Sequence, residues 1–466
     1  MDKKKIYDIL VVGSGLSSLT FVDSYLKRNK KIDIISFENK KIDTSNFGNN
    51  HIFKILPPQM IGQKKRVNDY FFFNNIKINK NCNFFGSLEF GGLSNYWGLQ
   101  IDKNIMPDIL HLSKKTQNKI NHCFREIINE YNLLDKISTK RDSVLKKNKY
   151  FDEDFAKINN HLILEEPILA YQKKVKKYLD LKSLNEAKDK FVPLNFLKYI
   201  KNKKIIFHNY YVKEIKKQKN YLILNCSDGL KNKNFITKKL VLGCGTLITT
   251  KLIMNYLKIK NEVRINHHPR LFSLYFSKKK WKSHMSFEPS QVHLKLRKNP
   301  FLFTADFRPG NKIIINAIIR FKVILKPIKF LIDIFREYMI FSNIFLESKY
   351  GNLFIKKNNK FFEIFSKQKN LKKIFKKTSG IVYQSLSKSK KIFPFYHNYF
   401  PGFGADFHYF GTIPMNNRNK LSVNEKCQLR NNKNIYIIDG SIFNFKKNKY
   451  PLGLIIANSR RVGKEI

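Results

Sequence analysis

Two apolar runs frame the start of the chain. Residues 9–12 read Ile-Leu-Val-Val, and a second run from residue 32 to residue 37 closes on an acid, Glu38. Between them, Gly13-Ser14-Gly15 opens a helical pattern that continues to about residue 28. An unbroken apolar run predicts a strand buried on both faces, so residues 7–38 read as strand, turn, helix, strand. Strand character returns over residues 205–225, with a turn at Tyr210-Tyr211-Val212. Residues 239–246, Lys-Leu-Val-Leu-Gly-Cys-Gly-Thr, predict a buried strand that ends in glycine and feeds a helix to about residue 256. This unit is expected to rejoin the same parallel sheet. Residues 286–321 alternate apolar and polar, the signature of antiparallel strands with one wet face, and are expected to floor a second domain. Residues 108–197 read as mostly helical and polar. Ile328, Leu331, Ile332, Phe335, Tyr338 and Met339 mark one helical face, expected to pack on that floor. The competing reading is a helix lying in a membrane interface, flanked by Lys322, Lys326 and Lys329. Near the end, Asn434-Ile435-Tyr436-Ile437-Ile438 predicts a strand closing on Asp439-Gly440, and Pro451 opens a final helix.

The first unit carries chemistry. In Gly13-Ser14-Gly15-Leu16-Ser17, Gly13 permits a tight turn and Gly15 lets backbone N–H groups approach a pyrophosphate at a helix N-terminus. Glu38 stands where an acid would bind a ribose diol. Ser18 replaces the third glycine of the fingerprint and is small enough to keep helix and strand close. A second Gly-rich loop, Phe90-Gly91-Gly92-Leu93-Ser94-Asn95-Tyr96-Trp97-Gly98, suits close approach of backbone to a ligand.

Charge changes the picture less than its size suggests. The chain has 466 residues and a formal net charge of +54. A basic chain can meet nucleic acid, an anionic membrane or an acidic substrate. Here the lysines are spread along the whole sequence together with abundant Asn, Ile and Phe, so no specific nucleic-acid partner is expected. The five cysteines form no CxxC pair, and adjacent His267 and His268 point apart on an extended chain. No metal site is expected. The first strand begins within a few residues of Met1, leaving no room for a signal peptide, and no run of 18 uncharged apolar residues occurs. The expected location is cytoplasmic; on the competing reading, a peripheral contact lies at the inner face of the membrane near residues 322–346.

Taken in order, the motifs resemble those of the glucose–methanol–choline (GMC) oxidoreductases. Gly13 to Ser18 is similar to the family's FAD fingerprint, and residues 91–98 to its GGSSxxNG loop. Residues 238–254 resemble VILAAGAxxTPxLLL, and Ile265-Asn266-His267-His268-Pro269 resembles NLxDHP. His408-Tyr409-Phe410-Gly411-Thr412 is similar to HxxGT, and residues 434–443 to NLYVADASVF. The resemblance implies an α/β fold: a Rossmann-type FAD domain built from residues 1–106, 200–272 and 402–466. It also implies a substrate domain with an antiparallel sheet, from residues 107–199 and 273–401. It further implies non-covalent FAD held by Gly13, Ser14, Gly15, Leu16, Ser17 and Glu38, and by Gly91, Gly92, Ser94, Asn95 and Trp97. Val212, Gly245, Asp439, Gly440, Pro451 and Leu452 complete that set. The implied reaction is oxidation of the CH–OH group of an alcohol or sugar, with His408 as base and the electron acceptor open. Where the family places Asn or His before the proline, this chain has Tyr450, with Asn448 nearby as a further catalytic candidate. Tyr96 stands where some members carry a flavin-linking histidine, and Pro414 replaces the arginine of HxxGTxRM. The alternatives are a basic peripheral membrane protein with a flavin fold of weak or no activity, and a flavoenzyme acting on an amine.

Overall fold

The computed structural model describes residues 5–37, 70–71, 74–79, 82–102, 104–134, 155, 158–159, 161–165, 168–172, 191–196, 199, 202, 204–281, 292–296, 303–311, 315, 327–367, 371–445 and 450–466. Glu38 and Asn448 lie outside them.

The opening strand Ile6–Val12 is the centre of the first sheet. Ile32–Ile35 and Asn232–Leu242 flank it in parallel. Ile205–His208 and Asn432–Ile437 extend the parallel set on the two sides. The returning strand at residues 239–242 therefore does rejoin the first sheet, beside the first strand. Leu10, Val11, Leu240, Val241 and Ile437 have no exposed surface, as unbroken apolar runs require when helices cover both faces. Strands on either side of the centre are reached by different crossovers. The carboxyl ends of the sheet therefore diverge and leave a crevice there, where open α/β sheets bind ligands. The final helix Leu452–Glu465 packs against the first helix, Leu16–Tyr25.

A second sheet of six strands is antiparallel, in the order Ile392–Tyr399, Arg270–Ser277, Met339–Leu346, Phe303–Pro309, Val292–Leu296, Leu162–Glu165. The two sheets carry separate apolar cores, one built on Leu10, Val241 and Leu454, the other on Tyr275, Phe307 and Ile344. The alternation at residues 286–321 thus yields two floor strands among its described residues.

Three expectations change. Residues 108–197 do contain a helix, Lys114–Glu130, but Leu162–Glu165 and Ile168–Gln172 are strands. Their alternating short apolar runs were masked by polar surroundings. That helix was grouped with the substrate domain, yet it packs on the final helix through Ile120, Phe124 and Ile127 in the first core. Third, the helix at residues 328–339 is short, Lys329–Phe335, and buries none of its residues. The chain straightens into a strand from Met339, so its apolar positions never share one long helical face.

Candidate active site

The strand ends open into one cavity of 370 Å³. One wall is backbone and small side chains. Gly13 follows the first strand with φ +104°, and a Cβ there would stand 2.6 Å from the Gly243 carbonyl oxygen. No other residue fits. Ser18 Oγ donates to that same carbonyl at 3.1 Å, so the serine in place of the third glycine ties helix to strand. Ser14 Oγ accepts from Gly91 N–H at 3.1 Å, and Ser94 Oγ accepts from Leu16 N–H at 3.0 Å. These two bonds fasten the Gly-rich loop onto the strand–helix turn. Gly13, Ser14, Gly15, Leu16 and Ser17 all line the cavity, with Gly91, Gly92, Ser94, Trp97 and Val212. Asn95 does not. Its amide donates to the Phe90 carbonyl at 2.6 Å behind the loop, a supporting role the motif does not distinguish from ligand contact.

Three helices begin at this cavity, at Gly15, Gly245 and Pro451. None of these N-cap residues supplies a side-chain cap, and no acid occupies the first turn of any of the three. A helix N-terminus carries partial positive charge and unsatisfied N–H groups, so three together favour an anion. A Cβ added to Gly15 would meet only ordinary contacts, and one added to Gly245 would meet nothing within 4 Å. The space those missing side chains leave lies open to a ligand. The donor set fits a dinucleotide with its pyrophosphate and an electron-rich ring.

Asp439 and Gly440 lie on the same wall. Asp439 Oδ1 accepts from Ser441 N–H at 3.0 Å and Ser441 Oγ at 2.6 Å, and Oδ2 accepts from Thr249 Oγ1. Burial pushes its carboxyl up. It buckles the last strand to the helix that starts at Thr246. Burial also pushes the Cys244 thiol, on the same wall, up to about 12, which keeps it neutral.

The opposite wall is side chains. His408 lines it, stacked on Phe345 with ring centroids 5.8 Å apart and edge-on to His268 at 5.8 Å. Its Nδ1 is sealed from solvent, which leaves Nε2 as the ring atom to meet a substrate. Phe407, just before it, holds φ +66° while stacking on Phe85 at 4.4 Å. A left-handed conformation in a non-glycine residue costs of order 1–2 kcal/mol, and here it aims His408 into the cavity. Beside it on the same wall, buried Asp406 accepts from His267 Nδ1 at 2.7 Å and from His268 N–H at 2.9 Å. Burial raises its pKa, but the His267 imidazole outweighs this and holds the carboxyl down at about 2. His268 Nε2 bonds the Phe445 carbonyl at 2.9 Å. The two adjacent histidines do take different partners. Even so, His268, Asp406 and His408 bring one donor atom each within 4.8 Å of one another, a cluster that spacing alone does not reveal. Both oxygens of Asp406 are engaged, which suits positioning of imidazoles more than metal ligation.

Tyr450 is buried on the cavity wall. Its hydroxyl donates to Asp306 Oδ1 at 2.7 Å, and its backbone N–H donates to Asp102 Oδ2 at 3.1 Å. Burial first, then the Asp306 charge, raise its pKa well above that of a free phenol. The phenol therefore keeps its proton on Asp306 and shows the cavity a lone pair.

Sequence reasoning missed the rest of this wall. Arg270, Asp306, Arg308, Asn343 and Phe345 come from three neighbouring strands of the second sheet. Phe345 pairs with Arg270, and Asn343 with Asp306. Alternation then puts Arg308 on the same face. Arg270 is 8% exposed, and burial lowers its pKa to about 10. Its guanidinium lies 4.5 Å from the Phe272 ring centroid, one terminal nitrogen donates to the Ala405 carbonyl, and Nε has no protein partner among the described residues. The alternation of residues 303–309 held the signal, but the face turned to the cavity is fixed only by the strands on each side.

No family model matches this chain, and no curated protein does. Solved structures do. The crystal structure of pyridoxine 4-oxidase from Mesorbium loti superimposes with a TM-score of 0.63, covering 98% of this chain and 99% of that one at 11% identity. The chain shares the fold of that enzyme. At that identity the likeness speaks for architecture alone, the two-domain α/β arrangement. Among the described residues no helix is long and apolar enough to cross a membrane.

Proposed function

We propose that the chain is an FAD-dependent oxidoreductase that oxidises the CH–OH group of a polar alcohol or sugar, with His408 as the base. The observation that carries the reading is the meeting, in one cavity, of an aimed histidine and three helix N-termini whose N-cap residues supply no side-chain cap. Gly13 to Ser17 and the loop of Gly91, Gly92 and Ser94 would hold the pyrophosphate, and Val212 the adenine side. Gly245, Asp439, Gly440, Pro451 and Leu452 would border the ring system, and Trp97 closes the wall beside the loop. Bound FAD would supply a two-electron acceptor for the substrate's hydride.

The protein's part is to place and deprotonate the alcohol. His408 Nε2 accepts the hydroxyl proton; an imidazole does this near neutral pH without extreme tuning. The His268 ring and Phe345 fix the imidazole plane, and Asp406 fixes His268 through its backbone N–H. Tyr450 Oη, its hydroxyl hydrogen engaged on Asp306, accepts a hydrogen bond from a substrate hydroxyl. Arg270, Arg308 and Asn343 offer donors to further oxygens, which favours a polyhydroxylated or anionic alcohol over an aliphatic one. The helix N-termini supply fixed positive potential where negative charge gathers.

The test is anaerobic reduction of the bound flavin by a panel of sugars, sugar acids and simple alcohols, for the parent and His408→Gln. Loss of reduction with flavin retained supports the assignment. Equal rates would remove His408 as base, and a folded protein that takes up no FAD would end the whole reading. Peroxide formation on admitting air separates an oxidase from a dehydrogenase.

A further inference from the structure

Among the described residues, a cluster of exposed apolar side chains sits at the far end of the second sheet. Phe330 is 75% exposed, Phe335 54%, Ile334 52% and Leu331 50%, all on the Lys329–Phe335 helix. Phe330 with Ile334, and Leu331 with Phe335, form two neighbouring i, i+4 ridges, so the apolar surface is broad. Only Ile332 turns inward, joining Phe276, Ile315 and Met339 in a small satellite core. Phe276 carries the patch sideways: its ring lies 5.1 Å from that of Phe395, which is 54% exposed on the edge strand Ile392–Tyr399. Phe393, 41% exposed, stacks beside Phe395 at 5.9 Å. The two elements thus form one surface, larger than the scattered apolar residues of an ordinary exterior.

Lysines border it. Lys278 Nζ stands 5.9 Å from the Phe393 ring and Lys280 Nζ 5.7 Å from the Tyr338 ring, and Lys329 begins the helix. We propose that this surface docks on an anionic lipid bilayer. Apolar rings would enter the boundary between headgroups and acyl chains, and the lysines would meet the phosphates. Charge decides between occupants. A second copy of this chain would bring another +54 and the same lysines to the contact, whereas an anionic bilayer offers both an apolar layer and the opposite charge. The docking surface also belongs to the cavity's own sheet. Leu274 and Phe341 pair with each other, Phe341 pairs with Arg308 on the other side, and Met339 follows two residues beyond on the same face. That step is about 7 Å along a strand, so the cavity floor continues to the patch without changing face.

The experiment is cosedimentation of the full-length protein with vesicles of phosphatidylcholine alone, or mixed equally with phosphatidylglycerol, at low and high salt. The parent is expected to sediment with the anionic vesicles. The double variant Phe330→Glu, Phe335→Glu, with an unchanged melting temperature, should bind them at least about tenfold more weakly, since each substitution puts a charge where a ring should enter. Three results overturn the proposal. The parent stays in the supernatant with both vesicles. The double variant binds as the parent does and high salt releases both, which assigns adsorption to scattered lysines. Or the parent forms a dimer that the double variant abolishes, which assigns the patch to a second copy. Flavin content and reduction are read separately, so failure here leaves the proposed reaction standing, and the reverse also holds.

Discussion

The two walls of the cavity recognise by different means. On the side of the parallel sheet, glycines, serines and helix N-termini present backbone, beside the rings of Trp97 and Tyr211. On the side of the antiparallel sheet, a histidine, a tyrosine, two arginines and an aspartate do the recognising. Backbone recognition needs a fixed local conformation, which a few consecutive residues encode. Side-chain recognition here needs Arg270, Asp306 and Arg308 from two strands to share a face with Asn343 and Phe345 of the strand between them, and His408 and Tyr450 to meet them from loops, which no consecutive stretch encodes. The first wall is therefore conservative in kind and suited to a cofactor, and the second is free to define a substrate.

That contrast can be broken at its strongest point first. Gly13→Val forces a side chain into a left-handed turn and against the Gly243 carbonyl, and is expected to cost more than about 3 kcal/mol. Thermal unfolding and flavin absorbance should show loss of both fold and flavin uptake together, because the backbone wall cannot fail piecemeal. His408→Gln, on the other wall, is expected to lower the rate of flavin reduction by roughly 10²–10⁴-fold while flavin content and melting temperature hold. If flavin is lost as well, the two walls are not separable in this way.

Tyr450→Phe is smaller and more specific. It leaves buried Asp306 without the donor now 2.7 Å away, which is worth roughly 1–3 kcal/mol in stability. Because the phenol acts as an acceptor, the substrate's KM should rise more than kcat falls. A variant with unchanged KM and reduced kcat would instead make Tyr450 a proton donor. The effect confined to the narrowest conditions is on acid stability. The Asp406 carboxyl is held at about 2, below its unfolded value near 3.9, so it contributes stability that is complete above about pH 4 and lost as pH falls toward 2. Asp406→Asn should flatten that part of the acid unfolding curve, measured by circular dichroism. It should leave flavin absorbance at neutral pH unchanged, since both oxygens face histidine and backbone donors.

Much of this was legible residue by residue. The turn at Gly13, Ser18 as a small third position, the strand at residues 239–242 and the helix opening at Pro451 each rest on local geometry, and each stands where the pattern placed it. His408 and Tyr450 do meet in one cavity, although 42 residues separate them in sequence. The Lys329–Phe335 helix was misread for a physical reason: helical spacing of apolar residues reports amphipathicity, and amphipathicity does not say what the apolar side meets. Asn95 shows the same limit on a smaller scale, because an amide that props a loop and one that touches a ligand sit equally well in a Gly-rich motif.

The sequence by itself determined the parallel strand–turn–helix unit and the anion-attracting N-termini, because each depends on neighbours within a few residues. Only the tertiary structure decided that Tyr450 donates its hydrogen bond to Asp306, that Asp406 backs the histidines, and that Arg270, Asp306 and Arg308 floor the cavity. Those contacts join residues 135 to 144 positions apart or more. They exist only once the order and register of the antiparallel strands are set by burial of a shared core.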